Sequence, residues 1–478
     1  MATLRKSILI NFVQNYGIIV LQFIASIILA RLLSPADMGI YSVAATLISL
    51  AQVVRDFGVG QYIIQESSLT NDRIRSAFTI SVISSVILAA TSASLCNIAA
   101  DFYREPGVRN VMLVLSVNFL LVPFGQITAA HLQRDMKFGA LATAKIGSAI
   151  IHFGTSISLA YFGFSYMSLA YASLAGALSN TMITNFYRPK NLPWSMGFSD
   201  IRRVINFGSF SVLSNLANAL ARGVADLVVG RMINMHAVGL FSRANGLIEI
   251  FNQGVMNALW AVALPHFSQA VRDGEDLKND FLKSTCLITG IAWPFFGVLA
   301  ILAEPLVIIL YGNKWIDCVP LVKWICLYFF IIAPFYLFGS ILTAIGEVKK
   351  VMWIEICSLP VQFSIYIFAS KSGDIAYVAM SGVFYSIVKA IIIYYVLRRH
   401  LLFKNVEFLS SLIQSFGAAV FTILCLSIIY LTDIPKEINS FQLILVGGFV
   451  ATIGWLAGIY LTKHPIGIEL VTLIGKRK

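Results

Sequence analysis

The sequence predicts an all-α polytopic membrane protein of about fourteen transmembrane helices, two six-helix lobes followed by two further helices. Of its 478 residues 58% are hydrophobic and only 12% charged, with a mean hydropathy of +0.81. Soluble domains carry about 25% charged residues. Apolar windows long enough to cross about 30 Å of hydrocarbon recur along the chain. The basic residues fall mostly on one side of those windows, and a short motif recurs 200 residues on.

The first window, 8–30, follows a basic start (MATLRK) and is longer than the roughly 7–15 apolar residues of a signal peptide, so it reads as an uncleaved span. Five more follow at 39–63, 77–100, 108–131, 140–163 and 166–187. A polar stretch, YRPKNLPWSMGFSDIRRV, then interrupts them; Ser199-Asp200 offers an N-cap for a short basic helix on the inner surface. Windows resume at 204–230, 238–262, 283–303, 321–345, 353–370 and 375–397, and the last pair covers 411–432 and 441–462. With an inside N-terminus, 23 Lys and Arg fall in inner segments, 8 in outer segments and 4 within spans, the asymmetry of the positive-inside rule. The net charge of +12 is mostly this bias and calls for no nucleic acid. Pro123, Pro265, Pro294, Pro334 and Pro360 fall in or beside spans, where they permit bends.

RLLSPADMGIYSVA (31–44) and RMINMHAVGLFSRA (231–244) share Arg31/Arg231, Gly39/Gly239, Ser42/Ser242 and Ala44/Ala244. Six spans separate the copies, so the halves share one orientation and describe a parallel repeat about a pseudo-twofold along the membrane normal. The organisation expected is an N-terminal lobe at 1–187, a hinge-like cytoplasmic linker at 188–203, a C-terminal lobe at 204–400, and two added helices with a basic tail at 401–478.

Chemistry-bearing motifs are few. The six cysteines form no CxxC pair, the six histidines no HExxH cluster, and there is no GxxxxGK[ST] loop. No metal, nucleotide or other cofactor is predicted. The charges placed within spans are Arg55, Asp56, Arg222, Asp226, Arg243, Glu249 and Lys389. Each costs about 2.5–3.5 kcal/mol at the bilayer centre, so such residues face a polar interior. Arg222 and Asp226, four apart, share a helical face and can pair. Arg55 is positioned either to line a lumen or to snorkel to the inner mouth. Lys389, in YSIVKAIIIYYV, has no acid on its own helix and requires a partner from another helix, a water-filled space or an anionic ligand.

RLLSPADMGIYSVAATLISLAQVVRDFGVGQYIIQ (31–65), HLQRDMKFGALA (131–142) and ARGVADLVVGRMINMHAVGLFSRA (221–244), in that order, resemble the polysaccharide transporter family. That family belongs to the multidrug/oligosaccharidyl-lipid/polysaccharide exporter superfamily, and the likeness is to its colanic-acid-exporter-like branch. The resemblance covers about residues 1–400. It implies a V-shaped, two-lobed, fourteen-helix flippase that moves undecaprenyl-diphosphate-linked oligosaccharide repeat units across a bacterial inner membrane, both termini cytoplasmic. The cationic cleft for the diphosphate would hold Arg55, Arg222, Arg243 and Lys389. Asp56, Asp226 and Glu249 are the candidates for coupling to H⁺ or Na⁺. Implied partners are the lipid-linked substrate, membrane lipids, and the polymerase and chain-length proteins of surface-polysaccharide synthesis. Val224 stands where the family pattern has a small polar residue. Two other readings stay open. A drug or metabolite antiporter of the superfamily would want an acid-rich pocket, whereas here intramembrane bases outnumber acids four to three. A membrane enzyme would want a large external loop, whereas the largest outer connections, about 101–107 and 304–320, are short.

Overall fold

The computed structural model describes the backbone of residues 2–56, 59–190, 192–199, 201–432 and 438–469, and the side chains of these except 2–13, 56 and 201–214. It is helical, with no strand among the described residues. The chain forms two compact units, Met1–Ser242 and Arg243–Lys478. Eleven of the described helical segments are long and apolar enough to cross a membrane. The windows at 140–163, 166–187 and 204–230 also hold helices but are not among those eleven.

In the first unit lie α1 (Ala2–Leu32), α2 (Pro35–Asp56), α3 (Val59–Gln65), α4 (Asn71–Tyr103), α5 (Pro106–Arg134), α6 (Phe138–Tyr161), α7 (Met167–Phe186) and α8 (Ile201–Met232). Local sequence sets their ends. SPAD at the start of α2 is a reciprocal cap: the Asp37 N–H donates to Ser34 Oγ at 3.1 Å, and the Ser34 N–H donates to Asp37 Oδ2 at 3.0 Å. Thr70 caps α4 by accepting the Arg73 N–H, and Glu105 caps α5, with Pro106 opening the helix where no N–H is needed. Arg134, in the HLQRD motif, donates to the carbonyls of Ile63, Ile64 and Glu66 at 2.6–3.3 Å. It thereby satisfies the orphan acceptors that end α3.

The repeated motif meets itself. Asn234 caps α9 (Met235–Phe251) by accepting the Ala237 N–H at 2.8 Å, 200 positions after the Ser34 cap. The first turns of α9 belong to the first unit and cross α2 there. A Cβ on Gly39 would collide with the Met235 carbonyl, and one on Gly239 with the Pro35 carbonyl. The two contacts are counterparts under the repeat, positions 35 and 39 in one copy answering 235 and 239 in the other. One helical turn further on, the Ser42 and Ser242 hydroxyls stand 3.5 Å apart. Small residues let membrane helices approach to backbone contact, and here nothing larger than hydrogen fits.

One expectation about the segment after α7 changes. No separate short helix precedes α8, which runs unbroken from Ile201 to Met232; Asp200 itself lies outside the described residues. The start of the linker is tied to α5 and to its own backbone. Arg188 donates to Thr128 Oγ1 at 2.9 Å and to the Leu192 and Pro193 carbonyls at 3.1 and 2.9 Å. Its guanidinium also lies 3.6 Å over the Trp194 ring. The Gly197 N–H donates to Thr79 Oγ1 at 2.9 Å.

The second unit continues α9 through a π-helical turn, Asn252–Met256, into α10 (Asn257–Asp273), then α11 (Leu277–Ile301) and α12 (Ala303–Leu310). After a 3₁₀ turn at Asn313–Cys318 come α13 (Val319–Ile332), a 3₁₀ turn at Ala333–Phe335 and α14 (Phe338–Ala344). Last are α15 (Val348–Ser370), α16 (Ile375–Leu401), α17 (Asn405–Leu431) and α18 (Ser440–Leu461). The connection read as a plain outer loop at 304–320 is therefore largely helical. Of the five prolines, Pro334 alone sits in a 3₁₀ break; the other four lie inside α-helices.

The added pair α17–α18 is held to α11 by close packing and by one buried histidine. Gly454 and Gly458 bring α18 against Thr422 and Ala418 of α17. His464, 1% exposed, accepts the Ile466 N–H on Nδ1 at 3.2 Å, which makes Nε2 its protonated nitrogen. Nε2 lies 3.0 Å from Ser415 Oγ of α17 and 3.4 Å from Cys286 Sγ of α11. The basic tail, 470–478, lies outside the described residues.

The reciprocal glycine contact has a direct test. Gly39→Ala or Gly239→Ala should destabilise the protein by about 1–3 kcal/mol, the usual range for overpacking, and lower its melting temperature in detergent. Gly246→Ala, where a Cβ meets nothing within 4 Å, should leave it unchanged. Equal melting temperatures for all three variants would show that the helices can part here without loss.

Candidate functional site

The seven residues singled out from the sequence divide between the units. In the first, Asp226 does not pair with Arg222. Its Oδ2 accepts the Ser42 hydroxyl at 2.6 Å and the Thr46 hydroxyl at 3.3 Å. The reason is packing. Gly223 and Gly230, on the same face of α8 as Asp226, let that face lie against Thr46 and Val43 of α2. The carboxylate is therefore carried to the α2 hydroxyls. Arg222 is left exposed, with no ion-pair or hydrogen-bond partner among the described residues. Arg55, 9% exposed at the end of α2, has its guanidinium 5.6 Å over the buried ring of Phe119. The Asp56 side chain lies outside the described residues.

In the second unit, Arg243 and Glu249 go separate ways. The Arg243 guanidinium stacks 5.3 Å over Tyr311 and 5.6 Å over Trp315, and hydrogen-bonds the Tyr311 phenol. Both aromatics are buried, and they come from the α12 segment and the 3₁₀ turn after it. Glu249 is exposed on α9 and accepts the Asn252 amide at 3.3 Å and the Gln253 amide at 3.4 Å.

Lys389 has a partner that the sequence reading passed over. Glu355 of α15 receives its ammonium on both oxygens, at 2.9 and 3.1 Å, with the side chains only 14% and 9% exposed. Tyr385 and Ser386, one turn back on α16, are buried beside it. Glu355 carries the same signal as Lys389, a charge within an apolar run (VMWIEICSLP), and belongs with the intramembrane charges. With it the balance becomes four bases to four acids. Lys389 is thus neutralised in place rather than a lone cation awaiting an anion. Among the described residues no group of three or more His, Cys, Asp or Glu is placed to hold a metal.

The pair gives a clear expectation. Removing one member of a buried ion pair strands the other and costs about 3–5 kcal/mol. Lys389→Met should therefore unfold at markedly lower temperature, and the double change Lys389→Met with Glu355→Leu should recover most of the loss. A single Lys389→Met variant as stable as the parent would mean that water already reaches the Glu355 carboxylate.

Comparison with known proteins gives these residues a setting. A family model described as "Polysaccharide biosynthesis protein" matches residues 28–320. The lipopolysaccharide biosynthesis protein WzxC of Escherichia coli (strain K12) is 21% identical over 311 residues, 65% of this chain and 63% of that protein. The chain therefore spans less than two thirds of that relative's length. The succinoglycan biosynthesis transport protein ExoT of Rhizobium meliloti (strain 1021) is 24% identical over 396 residues, 82% of this chain and 76% of that protein. Among solved structures, the lipid II flippase MurJ in an inward closed conformation superposes with a TM-score of 0.76 over 95% of this chain and 98% of that one. At 13% identity, this last likeness is one of fold. The family match takes in more than half of the 478 residues, and it carries the α2 motif, the HLQRD segment and the second copy of the repeat. The chain is a multi-pass membrane protein that belongs to the polysaccharide biosynthesis protein family.

Proposed function

We propose that this chain is a flippase for undecaprenyl-diphosphate-linked oligosaccharide repeat units, carrying them from the cytoplasmic to the periplasmic leaflet of a bacterial inner membrane by alternating access of two six-helix lobes. Family membership supports a role in surface-polysaccharide synthesis, and the names of WzxC, a lipopolysaccharide biosynthesis protein, and ExoT, a succinoglycan transport protein, point the same way. The observation that carries the reading is Arg222. It is an exposed residue ten positions before the end of α8, or about 15 Å along the helix axis, and Asp226, one turn on, is turned to Ser42 and Thr46. A cation so placed asks for an anionic ligand, and a diphosphate offers oxygens that a guanidinium can clasp with two hydrogen bonds. Arg55 and Arg243, each on an aromatic face, are the supporting cations; Lys389 acts through its pair with Glu355.

Charge also supplies a driving force. The cell interior is negative, so moving about two diphosphate charges outward runs with the field. At about 2.3 kcal/mol per charge per 100 mV this is roughly 4–5 kcal/mol if they cross unneutralised. The carrier then returns empty, and Asp226, whose carboxylate sits among the hydroxyls of Ser42 and Thr46, is the candidate to take H⁺ or Na⁺ on that leg. A drug antiporter is the second reading; the exposed Arg222, which repels cationic drugs, speaks against it.

Orientation is tested in intact cells. With both termini cytoplasmic, a cysteine introduced at Lys190 should react with membrane-impermeant thiol reagents only after the inner membrane is opened. Labelling from the periplasmic side would overturn the topology and the direction of transport with it.

The transport reading is tested in proteoliposomes holding a fluorescent undecaprenyl-diphosphate oligosaccharide. Arg222→Ala should slow flipping by about tenfold or more, and Arg222→Lys by less, since charge survives while the bidentate geometry does not. Collapsing the membrane potential should slow flipping more than collapsing the pH gradient alone. Flipping that followed the pH gradient and ignored the potential would mean that the substrate crosses neutralised.

A further inference from the structure

The helix α9–α10, continuous through its π-helical turn, carries polar groups that neither the ion pairs nor the helix packing uses. Glu249 and Asn257 are exposed, and Gln253 lies between them at the π-helical turn. Within a chain that spans a membrane, an exposed carboxylate and amide at this depth cannot face acyl chains, so this face lies against water or a polar ligand. Trp260 stands further along, 40% exposed, and its indole N–H is spent on the Tyr336 carbonyl at 3.2 Å. That bond fixes the ring and leaves only its apolar surface to offer. Tyr336 closes the 3₁₀ break after α13, and its phenol is within electrostatic reach of Glu249, so one residue links the carboxylate end of the patch to the indole end. Two acceptor or donor positions here lack partners: the Tyr336 hydroxyl and Asn252 Oδ1 are shut off from solvent with no hydrogen bond among the described residues. The Asn257 amide likewise has none among the described residues.

We propose that Glu249, Gln253, Asn257 and Trp260, framed by Asn252 and Tyr336, form a saccharide subsite that holds the neutral glycan of the lipid-linked substrate. This rests on the flippase reading. The chemistry selects the ligand. A carboxylate with amides on both its oxygens still has acceptor capacity, and with the free amide it matches the paired donors and acceptors of vicinal hydroxyls. An indole face matches the C–H face of a pyranose. Glu249 repels a diphosphate, so the anionic end of the substrate does not bind here. π-Turns recur at functional sites because they widen the helix and re-aim its side chains.

The test uses the full chain in nanodiscs and two probes, undecaprenyl diphosphate bearing a neutral pentasaccharide and undecaprenyl diphosphate alone. The parent protein should bind the glycosylated probe about tenfold more tightly, the size of one good stacked and hydrogen-bonded contact. Trp260→Ala and Gln253→Ala should each bring that ratio close to one without changing affinity for the bare diphosphate, and Trp260→Phe should keep most of it. If Trp260→Ala fails to fold, Gln253→Ala carries the comparison. A ratio that survives in the variants, or is absent from the parent, overturns the subsite. Failure of the parent to flip the glycosylated lipid in proteoliposomes, with the binding ratio intact, would instead overturn the transport reading and leave the subsite standing.

Discussion

An ionised group surrounded by acyl chains has no water to fall back on, and most of what is distinctive in this fold follows from that constraint. Lys389 and Glu355 meet at 2.9 Å because α15 and α16 pack with those two faces together; rotating either helix would strand a charge. Arg243 packs against two buried aromatics from the segment after α11, which coils there into α12 and a 3₁₀ turn. Arg55 is treated in the same way by Phe119. Such pairings need add little net stability, since desolvation offsets most of the attraction, but they penalise any other rotation or register of the helices.

Glycine makes the tightest of these arrangements possible. On α2, Gly39, Ser42 and Thr46 lie on one face at spacings of three and four, and on α8 Gly223, Asp226 and Gly230 do the same. Where Gly39 and Gly239 let backbones touch, the serines one turn on come within 3.5 Å; where Gly223 admits Thr46, Asp226 reaches a serine hydroxyl at 2.6 Å. Close approach and polar satisfaction are one event here, because a short hydroxyl can reach a carboxylate on the next helix only if no larger side chain holds the helices apart.

The fold class was legible in composition, since apolar windows of membrane length and a one-sided distribution of Lys and Arg are local properties of the chain. The helix starts at SPAD and INMHA have caps set within four residues, yet the apolar windows at 39–63 and 238–262 began about one turn late, because the first turn of each helix is not uniformly apolar. The identity Gly39/Gly239 was visible as a repeat, although the contact between the two copies was not. Partnerships between helices were out of reach for the same reason. Nothing in YSIVKAIIIYYV says that α15 is the neighbour of Lys389, and nothing near Asp226 says that α2 hydroxyls compete with Arg222 for it. Glu355 could have been found, as a charge in an apolar run. The π-turn at Asn252–Met256 left no mark, because an inserted residue changes the helix and not the composition. Arg188 looked like one more inner-side charge in a flexible linker, and only the carbonyls of Leu192 and Pro193 beside it turn that charge into an anchor.

Counting Glu355 also changes what the spans select for. Four bases against three acids describes a mildly cationic interior; four against four does not, and the useful question becomes which charges are spent. Lys389 is spent on Glu355 and Asp226 on hydroxyls, while Arg55 and Arg243 lie on aromatic faces. Arg222 is exposed in the first unit and Glu249 in the second, the latter beside amides and an indole. A uniformly anionic ligand would be attracted by one and repelled by the other. On the proposed function each charge has its own task, Arg222 toward a diphosphate and Glu249 within the glycan subsite. If the proposed subsite holds a glycan, an acid that rejects phosphate contributes to selection as surely as a group that attracts it, since specificity is a difference of affinities.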